Sequence, residues 1–383
     1  MKFTVQKSVF LENLTPAMGS VSNKNTITSI EGVLLETLED GRIRLSTYDM
    51  NKGVRTIFTP SEIEREGKFI INASRLYQTV KVMPEDDITI EVNDNLNCTL
   101  SCGRASFSMF AMRGEEFPAL PELVSERGFE VSASVVKKMI SKVSHSIAEL
   151  DNRPMLRGAF FNIKEGSLEV VSCDGYTLSM CEMKCDLSYV GNGTDTSFII
   201  PGHALSELVK IIGDGDDKVT FYLTRKHAII RREDTVFFTR TIDSEYIDYR
   251  RMLPRDNDIF VTVDRERLLS GLERANIIAE EKIQGSGKSY VKLITGDGTL
   301  ILSSTSVNGK VVDEMECIKT GGDIEIGFNC RYLINSIRAS EGEKILITMK
   351  GTLNAITVEC ADKVEDFKYF YMILPLRMND ANR

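Results

Sequence analysis

No stretch of the sequence comes near the ~20 consecutive apolar residues that cross a bilayer, so no helical membrane anchor is expected. The opening MKFTVQKSVFLENL has one early lysine but neither a continuous apolar core nor a small-residue cleavage site. No signal peptide is expected, and the compartment is expected to be cytoplasmic. Histidine is scarce: only His145, His203 and His227, far apart. The eight cysteines are scattered, and only Cys98/Cys102 and Cys181/Cys185 are closely spaced. A zinc site needs two close pairs or a histidine pair nearby, so no metal is expected and the thiols are assigned to core or strand positions. Enzyme motifs are missing too. GSGKS (285–289) would need a glycine at 282 to make a phosphate loop, and Lys282 stands there. GDGDD (213–217) lacks the ligand spacing and closing glutamate of a calcium loop and is expected to be a connecting turn. Glu115-Glu116 and Glu280-Glu281 have no histidine or metal partner in sequence, and there is no Gly-x-Ser-x-Gly elbow. No catalytic residue and no cofactor are expected; a binding or structural protein is favoured.

What is present is repetition. With 383 residues, 42% of them hydrophobic, the chain is long enough for two to three domains of ~150 residues. FTVQKSVFLENL from Phe3, FEVSASVVKKMI from Phe129 and VTVDRERLLSGL from Val261 resemble one another. So do GRIRLSTYD (41–49), GSLEVVSCD (166–174) and GTLILSSTS (298–306). A third set is FIINASRLYQTVK (69–81), FIIPGHALSELVK (198–210) and IGFNCRYLINSIR (326–338). The offsets are steady: 126 and 132 for Val5, Val131 and Val263; 125 and 132 for Ile43, Leu168 and Leu300; 129 and 128 for Leu76, Leu205 and Leu333. Three landmarks in one order at one spacing define a triplicated chain, with domains expected at 1–125, 126–253 and 254–383. Within each third, alternating apolar runs and helical spacing read as β-α-β-β-β twice. The fold class is therefore α+β, each third layering two helices on two sheets.

Charge is segregated. The chain carries −9 overall, which on average opposes a phosphate-backbone partner. The six expected helices (7–18, 74–82, 134–146, 203–212, 264–278, 329–339) nevertheless sum to +7, leaving −16 elsewhere. A cationic helix layer in an anionic protein suits a polyanion, although any single helix face could be merely solvated.

SCDGYTL (172–178), TIDSEYIDYRRMLP (241–254), IGFNCRYL (326–333) and MILPLRM (372–378), in that order within the triplicated frame, resemble the bacterial sliding clamps, the β subunits of DNA polymerase III. The resemblance spans essentially the whole chain. It implies the DNA clamp fold: a head-to-tail homodimer closed into a ring, helices lining the hole and sheets outside. It implies a non-catalytic processivity factor that encircles double-stranded DNA without reading sequence. Its expected partners are the DNA polymerase III catalytic subunit, the clamp loader complex and other clamp-binding repair and replication proteins; no membrane is involved. The expected DNA-facing residues are Lys24, Arg75, Lys81, Lys137, Lys138, Lys142, Lys210, Arg331 and Arg338. For the dimer contact the expectation is Phe107 and Met109 of one chain against Ile277 and Ile278 of the other, the alternative being an ordinary intradomain core.

The same resemblance explains the apolar C-terminal run FKYFYMILPLRM, which would wall a pocket for short apolar peptides of partners. Matched positions are Leu156, Cys173, Gly175, Tyr176, Thr177, Leu178, Arg251, Met252, Leu353, Ala355, Met372, Ile373, Leu374, Pro375, Leu376 and Arg377. Pro375 would keep that edge from pairing as a ladder strand. Two departures are visible: Tyr246-Ile247 stands where the family often has Phe-Pro, and NDANR follows Met378, a tail expected to be disordered. The competing reading is a peptide-binding scaffold without DNA encirclement, which accounts for the pocket but not for the charge segregation.

Overall fold

The computed structural model describes residues 1–22, 27–121, 125–213, 215–279, 290–306, 309–362 and 367–378. The first third contains β1 Lys2–Gln6, α1 Lys7–Ala17, β2 Gly32–Thr37, β3 Ile43–Tyr48, β4 Lys52–Phe58, β5 Glu62–Arg65, β6 Lys68–Asn72, α2 Ala73–Val82, β7 Asp87–Val92, β8 Asn97–Cys102 and β9 Ala105–Arg113. The second contains β10 Arg127–Ser132, α3 Ala133–Val143, β11 Gly158–Lys164, β12 Ser167–Cys173, β13 Thr177–Lys184, β14 Ser188–Gly191, β15 Thr196–Pro201, α4 Gly202–Ile212, β16 Lys218–Leu223, β17 His227–Arg232 and β18 Thr235–Arg240. The third contains β19 Ile259–Asp264, α5 Arg265–Ala279, β20 Val291–Thr295, β21 Thr299–Thr305, β22 Lys310–Glu316, β23 Ile318–Thr320, β24 Glu325–Phe328, α6 Cys330–Ala339, β25 Lys344–Met349, β26 Ile356–Cys360 and β27 Phe367–Ile373.

The expected β-α-β-β-β halves are present in every third. Each third also carries a short strand that sequence patterning missed: β5, β14 and β23, paired with β1, β10 and β19. EIER, SYVG and IKT are too short and too polar to alternate visibly. The helices follow from local chemistry. Asn72 and Asn329 cap α2 and α6, their side chains accepting from the backbone N–H of Arg75 and Arg331. Asp264 does the same for Arg267 N at 2.8 Å. In α6 the buried residues Cys330, Leu333, Ile334 and Ile337 recur at helical spacing and turn one face into the core.

The described residues form two compact units, residues 1–137, 187–194 and 203–241 in one, and 138–186, 195–202 and 242–383 in the other. The division runs through the second third, because its two sheets continue into different neighbours. In unit one, β18 pairs antiparallel with β4, Phe238 opposite Gly53, within a fourteen-stranded sheet. In unit two, β13 pairs with β27, Leu178 opposite Met372, within a nine-stranded sheet, beside a separate four-stranded one. Backbone ladders thus join neighbouring thirds as well as the strands within each third. All eight cysteines are free thiols, five of them buried, as their strand and core placement requires. Burial alone pushes the Cys98 thiol up to about 12.

Candidate functional site

The apolar surface of unit two is organised by one turn. Asp174 Oδ1 accepts from Tyr176 N at 2.8 Å and Thr177 N at 2.6 Å, folding the β12–β13 connection back on itself. Gly175 sits there at φ +89°, where a side chain would be strained, and a Cβ would lie 3.0 Å from the Arg153 guanidinium. The segment leaving β27 is pinned on both sides of Pro375: Leu374 N donates to Tyr176 O at 2.9 Å and Leu376 N to Gly327 O at 2.8 Å. Pro375 itself has no N–H to donate.

Beneath this segment Leu156, Val171, Cys173, Leu178, Tyr249 and Met372 form a buried cluster, with Met155, Phe160, Met180, Tyr246, Ile247 and Ala355 packed on it. In the same segments four large side chains stay in water: Tyr176, Met252, Leu353 and Leu374, respectively 58, 44, 67 and 38% exposed. Tyr176 stacks on Tyr332 of α6, ring centres 6.1 Å apart. A buried apolar floor under exposed apolar residues is the composition of a docking surface.

The chain between the second and third thirds is fastened to this floor. Tyr246 stacks on Phe160 at 5.0 Å. Arg250 Nη2 donates to both oxygens of buried Glu169 at 2.8 and 2.9 Å, and Asn162 donates to the same carboxylate at 2.8 Å. Burial pushes the phenols of Tyr246 and Tyr249 well above their ordinary value. Arg251, 86% exposed at its side chain, pairs with Asp248 at 2.8 Å.

Most expected surface residues come together here, with two corrections. Thr177 and Ile373 face the other side of the sheet, because neighbours along a strand alternate. Thr177 is 3% exposed and donates to Ser146 Oγ at 2.8 Å; Ile373 is fully buried. Sequence reading missed Arg153, Asp151 and Tyr332. Asp151 accepts from Arg153 Nε and Nη2, both at 3.0 Å, and this guanidinium holds its carboxyl down at about 2. The available signal was the glycine at 175, a position where another group approaches the backbone.

The cationic residues divide. Arg75, Lys81, Lys210, Arg331 and Arg338 are exposed. Lys81 lies over the Tyr77 ring, while Lys210 and Arg338 pair with Glu207 and Glu273 at 3.0 and 2.7 Å. Lys137 is partly buried, and Lys24 lies outside the described residues, as do GSGKS and the NDANR tail. Lys142 is the correction. It is 5% exposed, and its Nζ donates to Ala339 O at 2.6 Å and pairs with Glu341 at 2.8 Å. Ala339 is the last residue of α6, so this ammonium caps a helix C-terminus and is not available to an outside anion. Lys138 pairs with the same carboxylate at 3.0 Å and sits 4.0 Å over the Phe367 ring. Burial raises the Glu341 carboxyl, but hydrogen bonds from Lys142 and Lys138 outweigh it and hold the group below its ordinary value.

Of the expected dimer residues, Phe107 and Ile277 are exposed, at 41 and 70%, and Met109 and Ile278 are half-buried. Phe110, at 79%, and Val312 on β22, at 57%, were missed. β9 pairs with β8 from Ala105 to Phe110 and with β6 only from Ala111 to Arg113, and β22 pairs only with β21 among the described strands. Each therefore has an open edge. In the 213–217 turn Asp217 pairs with Arg232 at 2.8 Å, and the described residues contain no cluster able to hold a metal ion.

Family models for the N-terminal, central and C-terminal domains of the DNA polymerase III beta subunit match residues 1–121, 130–248 and 250–377. The Bacillus subtilis protein named beta sliding clamp is 24% identical over 98% of this chain and 100% of its own length. A Staphylococcus epidermidis beta sliding clamp is 23% identical over 98 and 99%. Among solved structures, a putative DNA polymerase III beta subunit from Eubacterium rectale superposes with TM-score 0.91 at 27% identity, covering 99% of this chain and 100% of that one. A Pseudomonas aeruginosa sliding clamp bound to griselimycin superposes at 0.89 with 24% identity, over 99 and 100%. No helix among the described residues is long and apolar enough to cross a membrane.

Proposed function

The chain belongs to the DNA polymerase III beta subunit family, and from that premise we propose that two copies close head to tail into a ring around duplex DNA. The ring acts as a non-catalytic processivity factor in the cytoplasm. It tethers the polymerase, the clamp loader and other replication and repair proteins through the apolar surface of unit two.

The observation that carries this reading is an unfinished series of seams. The last strand of one third pairs with the fourth strand of the third before it: β18 with β4, and β27 with β13. The remaining members are β9 and β22, and both have an open edge. Carried through the repeat, Gly53 and Leu178 correspond to Lys310, and Phe238 corresponds to Ser108. A second copy would then set Ser108 opposite Lys310, Phe107 opposite Val311 and Arg104 opposite Glu314. Edge pairing removes two aggregation-prone strand edges at once, and a heterologous contact that closes gives a ring instead of a filament.

Arg75, Lys81, Lys210, Arg331 and Arg338 then supply a weak, sequence-independent attraction for phosphates. Loaded protein should remain on nicked circular DNA and leave when the circle is linearised. Equal retention on both forms would sink the encirclement reading. Reversing Arg75 and Lys81 together to glutamate should lower the salt dependence of retention by about 2 in slope.

A further inference from the structure

Each unit holds one seam, and the two seams share a backbone. Asp49 Oδ1 accepts from Asn51 N at 2.9 Å and Lys52 N at 2.8 Å, the pattern Asp174 makes with Tyr176 and Thr177. Met50 at φ +75° takes the place of Gly175 at +89°. Arg240 N donates to Asn51 O at 2.8 Å, as Leu374 N does to Tyr176 O. Phe117 and Leu120 cover the first floor as Tyr246 and Tyr249 cover the second. Unit one thus contains the receptacle on which unit two builds its apolar surface.

The side chains at the end of the third strand differ. Unit one has Tyr48 where unit two has Cys173. The Tyr48 ring packs 5.6 Å from Phe238, whose own ring occupies the place a Cβ on Gly53 would take. Its hydroxyl donates to Met50 O at 3.2 Å, so the phenol runs from the strand end to the turn with 7% of its surface exposed. At the same backbone position Cys173 ends at a sulfur that accepts from Gly175 N at 3.4 Å. The rims differ in step: Asn51 and Arg240 are polar, Tyr176 and Leu374 apolar.

We propose that this residue decides which seam receives a partner. The smaller Cys173, itself 3% exposed, lets the floor yield to a partner's apolar anchor, and Tyr48 fills the twin from within, so each chain offers one peptide site. The inference rests on the reading of the unit-two surface as the partner site. Selection by a steric occupant is an ordinary route to specificity.

The test titrates the full-length protein with a fluorescein-labelled nonapeptide carrying a Leu-Leu-Phe run between polar residues. Anisotropy gives affinity and calorimetry gives stoichiometry. The wild type should bind one peptide per chain. Cys173→Tyr should bind at least about 30-fold more weakly, the loss of one hot-spot contact, with dimer mass and circular dichroism unchanged. Tyr48→Cys should bind two peptides per chain. Affinity of Cys173→Tyr within threefold of wild type, or one peptide per chain on Tyr48→Cys, overturns the inference. If Cys173→Tyr does not fold, Cys173→Leu replaces it; a loss of about 5-fold supports the proposal and equal affinity overturns it. A wild type that binds no peptide would instead remove the partner-site reading itself.

Discussion

The two seams use one backbone plan and fill it with opposite chemistry. Under the ladder of unit one, buried Lys52 reaches the carbonyl of Gly19 and lies near Asp49. Under that of unit two, Thr177 occupies the Lys52 position and His145 the Gly19 position. There Thr177, Ser146, Ser179 and His145 form a chain of hydrogen bonds of 2.8, 2.7 and 3.1 Å. On the upper face the contrast repeats, a floor filled by Tyr48 with a polar rim against a floor that ends in Cys173 with an apolar one. A repeated backbone therefore fixes where a surface can be built, and a few side chains decide whether it is built.

The comparison can be broken most severely at the segment only unit two presents. Deleting Leu374 through Met378 should abolish polymerase stimulation and leave dimer mass unchanged by sedimentation. Failure to fold would place those residues in the core instead. Next in size is Lys142, whose repeat counterpart in the first third is Pro16. Lys142→Met removes two charge-assisted hydrogen bonds, to Ala339 O and to Glu341, and should cost about 3 kcal/mol in urea unfolding. The salt slope of DNA retention should stay as it was. A changed slope with unchanged stability would return Lys142 to the DNA-facing set.

His145 offers a pH test of the unit-two seam. Burial, followed by repulsion from Lys142, lowers its pKa to about 4 from an ordinary 6.5. The unfolded chain takes up the proton first as pH falls below 6.5. Stability is thus fully present above that value and is lost down to about pH 4, by about 3 kcal/mol in all. His145→Gln should flatten this part of the stability–pH curve, and an unaltered curve would assign the effect to other groups. The smallest contrast lies in the outer ion pairs. Glu169→Gln should cost about 2 kcal/mol, because its carboxylate is buried and accepts three hydrogen bonds. Glu36→Gln, paired with Arg44 in a more open setting, should cost below about 1 kcal/mol. Equal costs would show that burial does not separate the two.

Much of this architecture was legible before any coordinates. Helix spacing such as that of Leu333, Ile334 and Ile337 is a local pattern, and so is the alternation of β3, β12 and β21. The short strands β5, β14 and β23 were not legible, since three or four mixed residues carry no period and pair only because a longer strand lies beside them. The floor of the unit-two apolar surface was half legible. Cys173, Leu178 and Met372 stood in matched motifs, whereas Phe160, Tyr246, Arg153 and Tyr332 join them only through folding.

What the sequence by itself determined is the threefold repeat, the α+β layering and the excess of positive charge on the helices, because each is written in spacing and composition along neighbouring residues. What only the tertiary structure decided is which charges are already paired and which side chain fills the end of each seam. Lys142 meets its carbonyl partner 197 residues away, and Tyr48 closes its seam against Phe238. Charge neutralisation and steric filling act between atoms brought together by the fold, and no local pattern encodes them.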